Sequence, residues 1–288
     1  MTDQITKNQH HVPQFYIKLW ADNSNQVYRY DLKNQYAKQT GTKKILSDEF
    51  YYEEDPNNPD NRIENLLGEI ETEAAPIIKS LSEIINKYPL YSQDRQIKKE
   101  IEQFLTPTRQ SIIKKFSAFQ YLRIPGAVEQ KEYELQGSSL QKTQIDYGLN
   151  PGRFVESGFD YLEDRFMTLK MMINYSYDGR FLTSDWPCFD MKDSDDAPLL
   201  AEEIGSSSVV VACMTLGPRL RVIFYPPDFN NLKRVKTPDL MVKSTSDSQV
   251  KNHNNLIIQQ AIQYVISQQQ ADYIYKIASK RKRDKFQP

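Results

Sequence analysis

Two adjacent histidines, His10 and His11, open the segment HHVPQFYIKLW in a chain that carries three histidines in all. An imidazole near its ordinary pKa gives and takes protons at neutral pH, so either could serve as a general acid or base. Pro13 disfavours helix at Val12, which makes this stretch extended. Neighbouring side chains then point to opposite faces, and only one histidine can enter a given site. The plainer reading is that one imidazole packs where the N-terminal segment docks. A second candidate is TSDWP at 183–187. A strand ending in Thr183, Ser184 and Asp185 offers a carboxylate and two hydroxyls, which could orient a base or hold a divalent metal at Asp185. The same residues also make turns through their own side chains. A third is Arg123, at the end of an apolar helix face in AFQYLRIPG. There it can clamp a phosphate or carboxylate, or simply offset the helix dipole. Arg109 in TPTRQ is a lesser candidate of this kind.

The elements that would position these residues can be read from spacing. Residues 26–40 alternate as a hairpin, with Val27, Tyr28 and Tyr30 on one strand, a turn at Lys33-Asn34, and Tyr36 beyond. Asp60 or Asn61 caps a long helix whose apolar residues run from Ile63 to Ile85 with a 3.6-residue period, and Pro76 should kink or break it. Further helices are expected at about 93–103, 108–122, 127–143 and 153–175, the last running to MMINY. Residues 206–228 read as two strands around Gly217-Pro218, 229–248 as a polar loop, and NNLIIQQAIQYVISQQ as a helix with Leu256, Ile257, Ala261, Tyr264 and Val265 on one face. The fold class is α+β. A mainly helical middle packs on a small sheet built from the N-terminal hairpin and strands near 180–225, in a single domain over 1–288 with a basic tail from about 277.

Composition narrows the chemistry. Of 288 residues 39% are hydrophobic and 26% charged, and 37 Lys+Arg nearly balance 38 Asp+Glu. That reads as a globular chain with no overall bias toward nucleic acid or membrane. The opening MTDQITKNQHH has no apolar leader, and no run approaches the ~18 apolar residues of a membrane helix. A cytoplasmic location follows as an expectation, with Cys188 and Cys213 as buried free thiols. There is no P-loop, dinucleotide-binding, nucleophile-elbow or zincin motif.

HHVPQFYIKLWAD resembles the H-x-V-P-Q-x-Y-L-[KR]-x-[FW] opening of a bacterial family known as domain of unknown function 4238. In order, VYRYDLKN, IETEAAPIIKSL, FQYLRIPG, FLTSDWPC, MTLGPRLRVIF and NNLIIQQAIQYVIS are similar to its later motifs, so the resemblance covers nearly the whole chain. Ile124, Thr215 and Gly217 stand where the family pattern has Thr, Pro and Ser. The resemblance implies a bacterial, cytoplasmic protein of a kind found in mobile or defence-associated loci. It also singles out His10 or His11, Gln14, Arg123, Thr183, Ser184 and Asp185 as matches to the family's polar positions. The leading expectation is a hydrolase acting on a phosphodiester, a nuclease or RNase-like effector in phage defence or another conflict system. His10 would exchange the proton, Asp185 orient it or hold metal, and Arg123 stabilise phosphate charge, with His11, Gln14, Tyr16, Thr183 and Ser184 binding. The alternative is a non-catalytic sensor or binding module for a phage protein, a nucleotide or a partner protein. The partners considered are thus a nucleic acid or a protein, and not a membrane.

Overall fold

The clearest helical period in the chain becomes its longest helix. A computed structural model describes residues 5–88, 93–123, 151–190, 212–227 and 238–280. In it α1 (Gln14–Ile17) precedes α2 (Arg62–Lys87), whose inward stripe from Ile63 to Ile85 is buried. Pro76 lies inside α2 without ending it. Pro76 faces solvent, so water can serve the carbonyl that loses its intrahelical donor. Asp60 accepts from the Arg62 N–H at 2.9 Å, whereas the Asn61 carboxamide accepts from Thr6 instead of capping the helix. Then come α3 (Asp94–Phe104) and α4 (Pro107–Leu122), the latter with a Thr106 cap and proline in its first turn. After it stands α5 (Pro151–Thr168). The helix expected at 127–143 lies outside the described residues.

Eleven strands flank these helices among the described residues. β1 (Asn8–His10) pairs with β4 (Ser47–Glu49). The expected hairpin forms as β2 (Gln26–Asp31) and β3 (Tyr36–Gly41). β5 (Lys170–Tyr175) follows α5, then β6 (Thr183–Ser184), β7 (Cys188–Asp190), β8 (Ala212–Gly217) and β9 (Leu220–Tyr225). Last are β10 (Leu240–Ser244), α6 (Asp247–Gln260), β11 (Tyr264–Ser267) and α7 (Tyr273–Ala278).

Three expectations are corrected here. The helix predicted for 153–175 stops at Thr168, and MMINY is part of β5, a strand with neighbours on both sides. Five of its six residues are buried, so it shows none of the alternation that marks a half-exposed strand. The loop predicted for 229–248 contains β10, parallel to β5. The helix predicted to carry Tyr264 and Val265 ends at Gln260, and those residues begin β11.

The single expected sheet is in fact divided. A five-stranded sheet runs β10-β5-β9-β8-β7, and a four-stranded sheet runs β3-β2-β11-β6. The hairpin therefore shares a sheet with Thr183–Ser184, but only through β11, which lies between them. The strands from 188 onward belong to the other sheet. One continuous apolar core, from Val12 to Ile274, joins both to the helices. Cys188 and Cys213 are buried within it and form no disulfide. Among the described residues no helix is long and apolar enough to cross a membrane.

Candidate functional site

The N-terminal segment is extended, as Pro13 requires. β1 turns Gln9 fully inward and leaves His10 half-buried. Gln9 donates to Glu53 at 2.6 Å and accepts from the Tyr52 N–H at 2.7 Å, which pins the 50s loop under the strand. His11 is the more buried histidine, 7% exposed, and tilts against the Tyr51 ring. Of the adjacent pair it is therefore the imidazole that packs where the N-terminal segment docks. Its Nδ1 lies 3.8 Å from the Asp48 carboxylate, too far for a hydrogen bond. Burial, then the Arg123 and His10 charges, lower His11 to about 3, so it is neutral at physiological pH.

Arg123 caps the C-terminus of α4 and is 2% exposed. Its Nε donates to the Tyr52 hydroxyl at 3.1 Å, Nη1 to Glu71, and Nη2 to the His10 carbonyl. The Tyr52 hydroxyl in turn lies 3.2 Å from the Arg123 carbonyl and 3.4 Å from that of His10. Burial opposes the charge on Arg123, but Glu71, Tyr52 and Glu64 outweigh it and raise its proton affinity. One guanidinium thus ties the end of α4, the first strand, the 50s loop and α2 together.

Three groups at this knot have acceptor or donor capacity to spare, the His11 Nδ1 among them. His10 Nε2 is buried with no hydrogen-bond partner. Burial and then the Arg123 charge lower the His10 pKa, against Glu71 and a hydrogen bond to the Lys43 backbone, so the neutral imidazole is favoured. Glu64 Oε2 is likewise buried without a partner. Burial, with Glu71 and Glu53 nearby and Arg123 opposing, pushes the Glu64 carboxyl up to about 7. Neither residue type nor motif marks Glu64, Glu71 and Tyr52 as site residues. The available signal was the seven-residue spacing of Glu64 and Glu71, which puts both carboxylates beside the buried stripe of α2.

Asp185 has other partners. Its two oxygens accept backbone N–H groups from Ile262, Gln263 and Tyr264 at 2.9, 2.7 and 2.8 Å. Its own N–H donates to the Tyr264 carbonyl at 3.0 Å. It is 5% exposed and clamps the sharp change of direction from α6 into β11. Thr183 and Ser184 lie beside it in similar roles. The Tyr16 hydroxyl contacts Thr183 Oγ1 at 2.8 Å and donates to the Thr215 carbonyl at 2.7 Å, bridging the two large sheets. Ser184 Oγ donates to the Trp186 carbonyl and accepts from its N–H, closing a turn. Gln14 opens α1 and is half-buried. The structure thus joins His10, His11 and Arg123 at one knot, and it sets Tyr16 and Thr183 at the seam between the two large sheets, Ser184 in its own turn and Asp185 at the corner between α6 and β11. Arg109 stacks on Phe104 and donates to its carbonyl at 2.7 Å, a helix-linking role. Among the described residues no group of three or more His, Cys, Asp or Glu side chains is placed to hold a metal ion.

An open concavity lies elsewhere. A cavity of about 690 Å³ is enclosed by the loop at 179–182, the outer face of α6, and the connection from β11 into α7. Its floor is apolar and its rim polar. A smaller hollow of about 260 Å³ sits against Tyr52, Glu53 and Arg62, beside the Arg123 knot.

No curated protein and no solved structure matches this chain. One family model does, over residues 8–271, which takes in both the Arg123 knot and the Asp185 clamp. The chain belongs to the family described as Protein of unknown function (DUF4238).

Proposed function

We propose that this protein is a binding module whose ligand enters the cavity formed by the 179–182 loop, α6 and the β11–α7 connection. The observation that carries this reading is how the polar residues are used. Asp185 accepts three backbone N–H groups and Arg123 bonds Glu71, Tyr52 and the His10 carbonyl, so both hold the fold together. A concavity of about 690 Å³ with an apolar floor and a polar rim is of the size and character that takes small ligands. Thermal unfolding against a fragment library, with hits mapped by amide NMR, tests it. Hits that shift α6 and the 179–182 loop support the module, and a library that leaves both unmoved defeats it.

A second reading has its own support. The unpartnered Nε2 of His10 and Oε2 of Glu64, both coupled to the Arg123–Glu71 pair, suit a proton-exchanging hydrolase of phosphodiesters in phage defence or a related conflict system. In this version Glu64 takes the place that the sequence reading gave to Asp185. His10→Ala and Glu64→Gln should each abolish RNA or DNA cleavage and phage protection without lowering the thermal midpoint by more than a few degrees. Unchanged cleavage and protection in both would end this reading.

A further inference from the structure

The walls of the large cavity restrict what can occupy it. Phe181, Leu182, Val250 and Ile277 make a floor that favours a flat, apolar body over a hydrated one. Tyr273 stands at the rim, 40% exposed, one of the few large rings on this surface open to water. Its hydroxyl accepts from Asn254 at 3.2 Å, which fixes the ring in place without covering its face. A ring held this way is a stacking platform with little entropy to lose on binding. The carboxamides of Asn255 and Gln269 line the same space and can read the donor and acceptor edge of a heterocycle.

The charges at the rim set a second limit. Arg180, from the 179–182 loop, and Lys251, from α6, both line the cavity, and both are exposed. Asp247 and Asp272 are also on the rim, and Asp272 accepts from the Gln270 amide at 2.9 Å. Two cations sharing a rim with two carboxylates can hold one phosphate but offer no surplus for three. Arg219 adds positive charge behind the 179–182 loop: burial, then the Arg180 charge, lowers its proton affinity, against Asp178 and Tyr177.

We infer that the ligand of this cavity is a nucleoside monophosphate or a nucleotide end of similar size, with its base on Tyr273 and its phosphate between Arg180 and Lys251. This rests on the binding-module reading and narrows it to one chemical class. The carboxylates of Asp247 and Asp272 then serve as acceptors for ribose hydroxyls.

The test is amide NMR and calorimetric titration of the full chain with AMP, adenosine, inorganic phosphate and a capped Ala-Phe-Ala tripeptide. AMP should shift α6 and the 179–182 loop and bind at least tenfold more tightly than adenosine or phosphate alone. Tyr273→Ala should weaken AMP tenfold or more. Tyr273→Phe keeps the ring and should bind within about threefold of the parent, which separates stacking from any loosening of the Asn254 contact. Arg180→Ala combined with Lys251→Ala should bring AMP down to the affinity of adenosine. Equal binding of AMP and adenosine, with the double variant silent, overturns the phosphate assignment. Binding of the tripeptide at this cavity without AMP overturns the ligand class and leaves the module standing. If none of these probes, nor a fragment library, shifts the cavity residues, the module itself fails.

Discussion

The Asp185 clamp and the Arg123 knot are both buried, both charged and both assembled from distant parts of the chain. They differ in what is left over. At Asp185 the carboxylate meets three backbone N–H groups and joins the end of α6 to β11. At Arg123 the guanidinium satisfies Glu71, Tyr52 and a carbonyl, but the neighbouring His10 Nε2 and Glu64 Oε2 stay without partners. Burial of a charge therefore says little about function by itself. The informative quantity is the hydrogen-bonding capacity that remains after the fold has taken its share.

The comparison can be broken most forcefully at its cationic end. Arg123→Ala leaves Glu71 and Glu64 facing each other in partly buried surroundings and should cost about 4 kcal/mol, read from urea unfolding. Arg123→Lys, which cannot reproduce the fork, should recover only part of that loss. Asp185→Ala strands three backbone donors and should cost about 3 kcal/mol, with the largest rise in amide exchange at Ile262–Tyr264. If the loss at Asp185 exceeds that at Arg123, the ranking of clamp below knot is wrong.

Titration sharpens the same contrast. Glu64 has its folded pKa raised from 4.5 to about 7, so the folded protein holds a proton that the unfolded chain releases. Its contribution is harmless at low pH and turns into a loss as pH rises between those values. Glu64→Gln should remove that loss and stabilise the protein by roughly 2 kcal/mol above neutrality, with no gain at pH 4. His11 acts in the opposite direction. Its folded pKa drops from 6.5 to about 3, so stability declines as pH falls through that window, and His11→Phe should flatten the decline. The two slopes oppose each other between 4.5 and 6.5, so paired unfolding curves of the single variants separate them. The smallest effect is expected at the seam. Tyr16→Phe removes the proton that bridges to Thr215 and should cost about 1 kcal/mol in thermal unfolding.

Helices and the hairpin were legible because their apolar residues recur with a single period, as from Ile63 to Ile85 and from Val27 to Tyr36. The missed strands had no such period. β5 is buried almost throughout, and β11 follows the apolar stripe of α6 after only three residues, so local spacing could not distinguish strand from helix. Pro76 carried a correct local rule that its exposed position made inexpensive. At the site, residue type pointed to His10 and Arg123, which share a knot through the His10 carbonyl. Partner choice was not legible. Whether Asp185 faces an imidazole or a row of amides depends on where β11 lies, and that is a tertiary fact.

The place of β11 has a consequence for how the chain is made. β11 is the middle strand between β2 and β6, pairing Tyr264–Ser267 with Tyr28–Asp31 across almost the full length of the sequence. During synthesis the N-terminal hairpin emerges first, yet one edge of β2 must wait for more than two hundred residues before its neighbour leaves the ribosome. Contacts of such separation form slowly, and an open strand edge is a place where nascent chains associate wrongly. The strand that locks this hairpin is therefore one translated far later, and the arrival of β11, more than any early collapse, sets when the four-stranded sheet becomes whole.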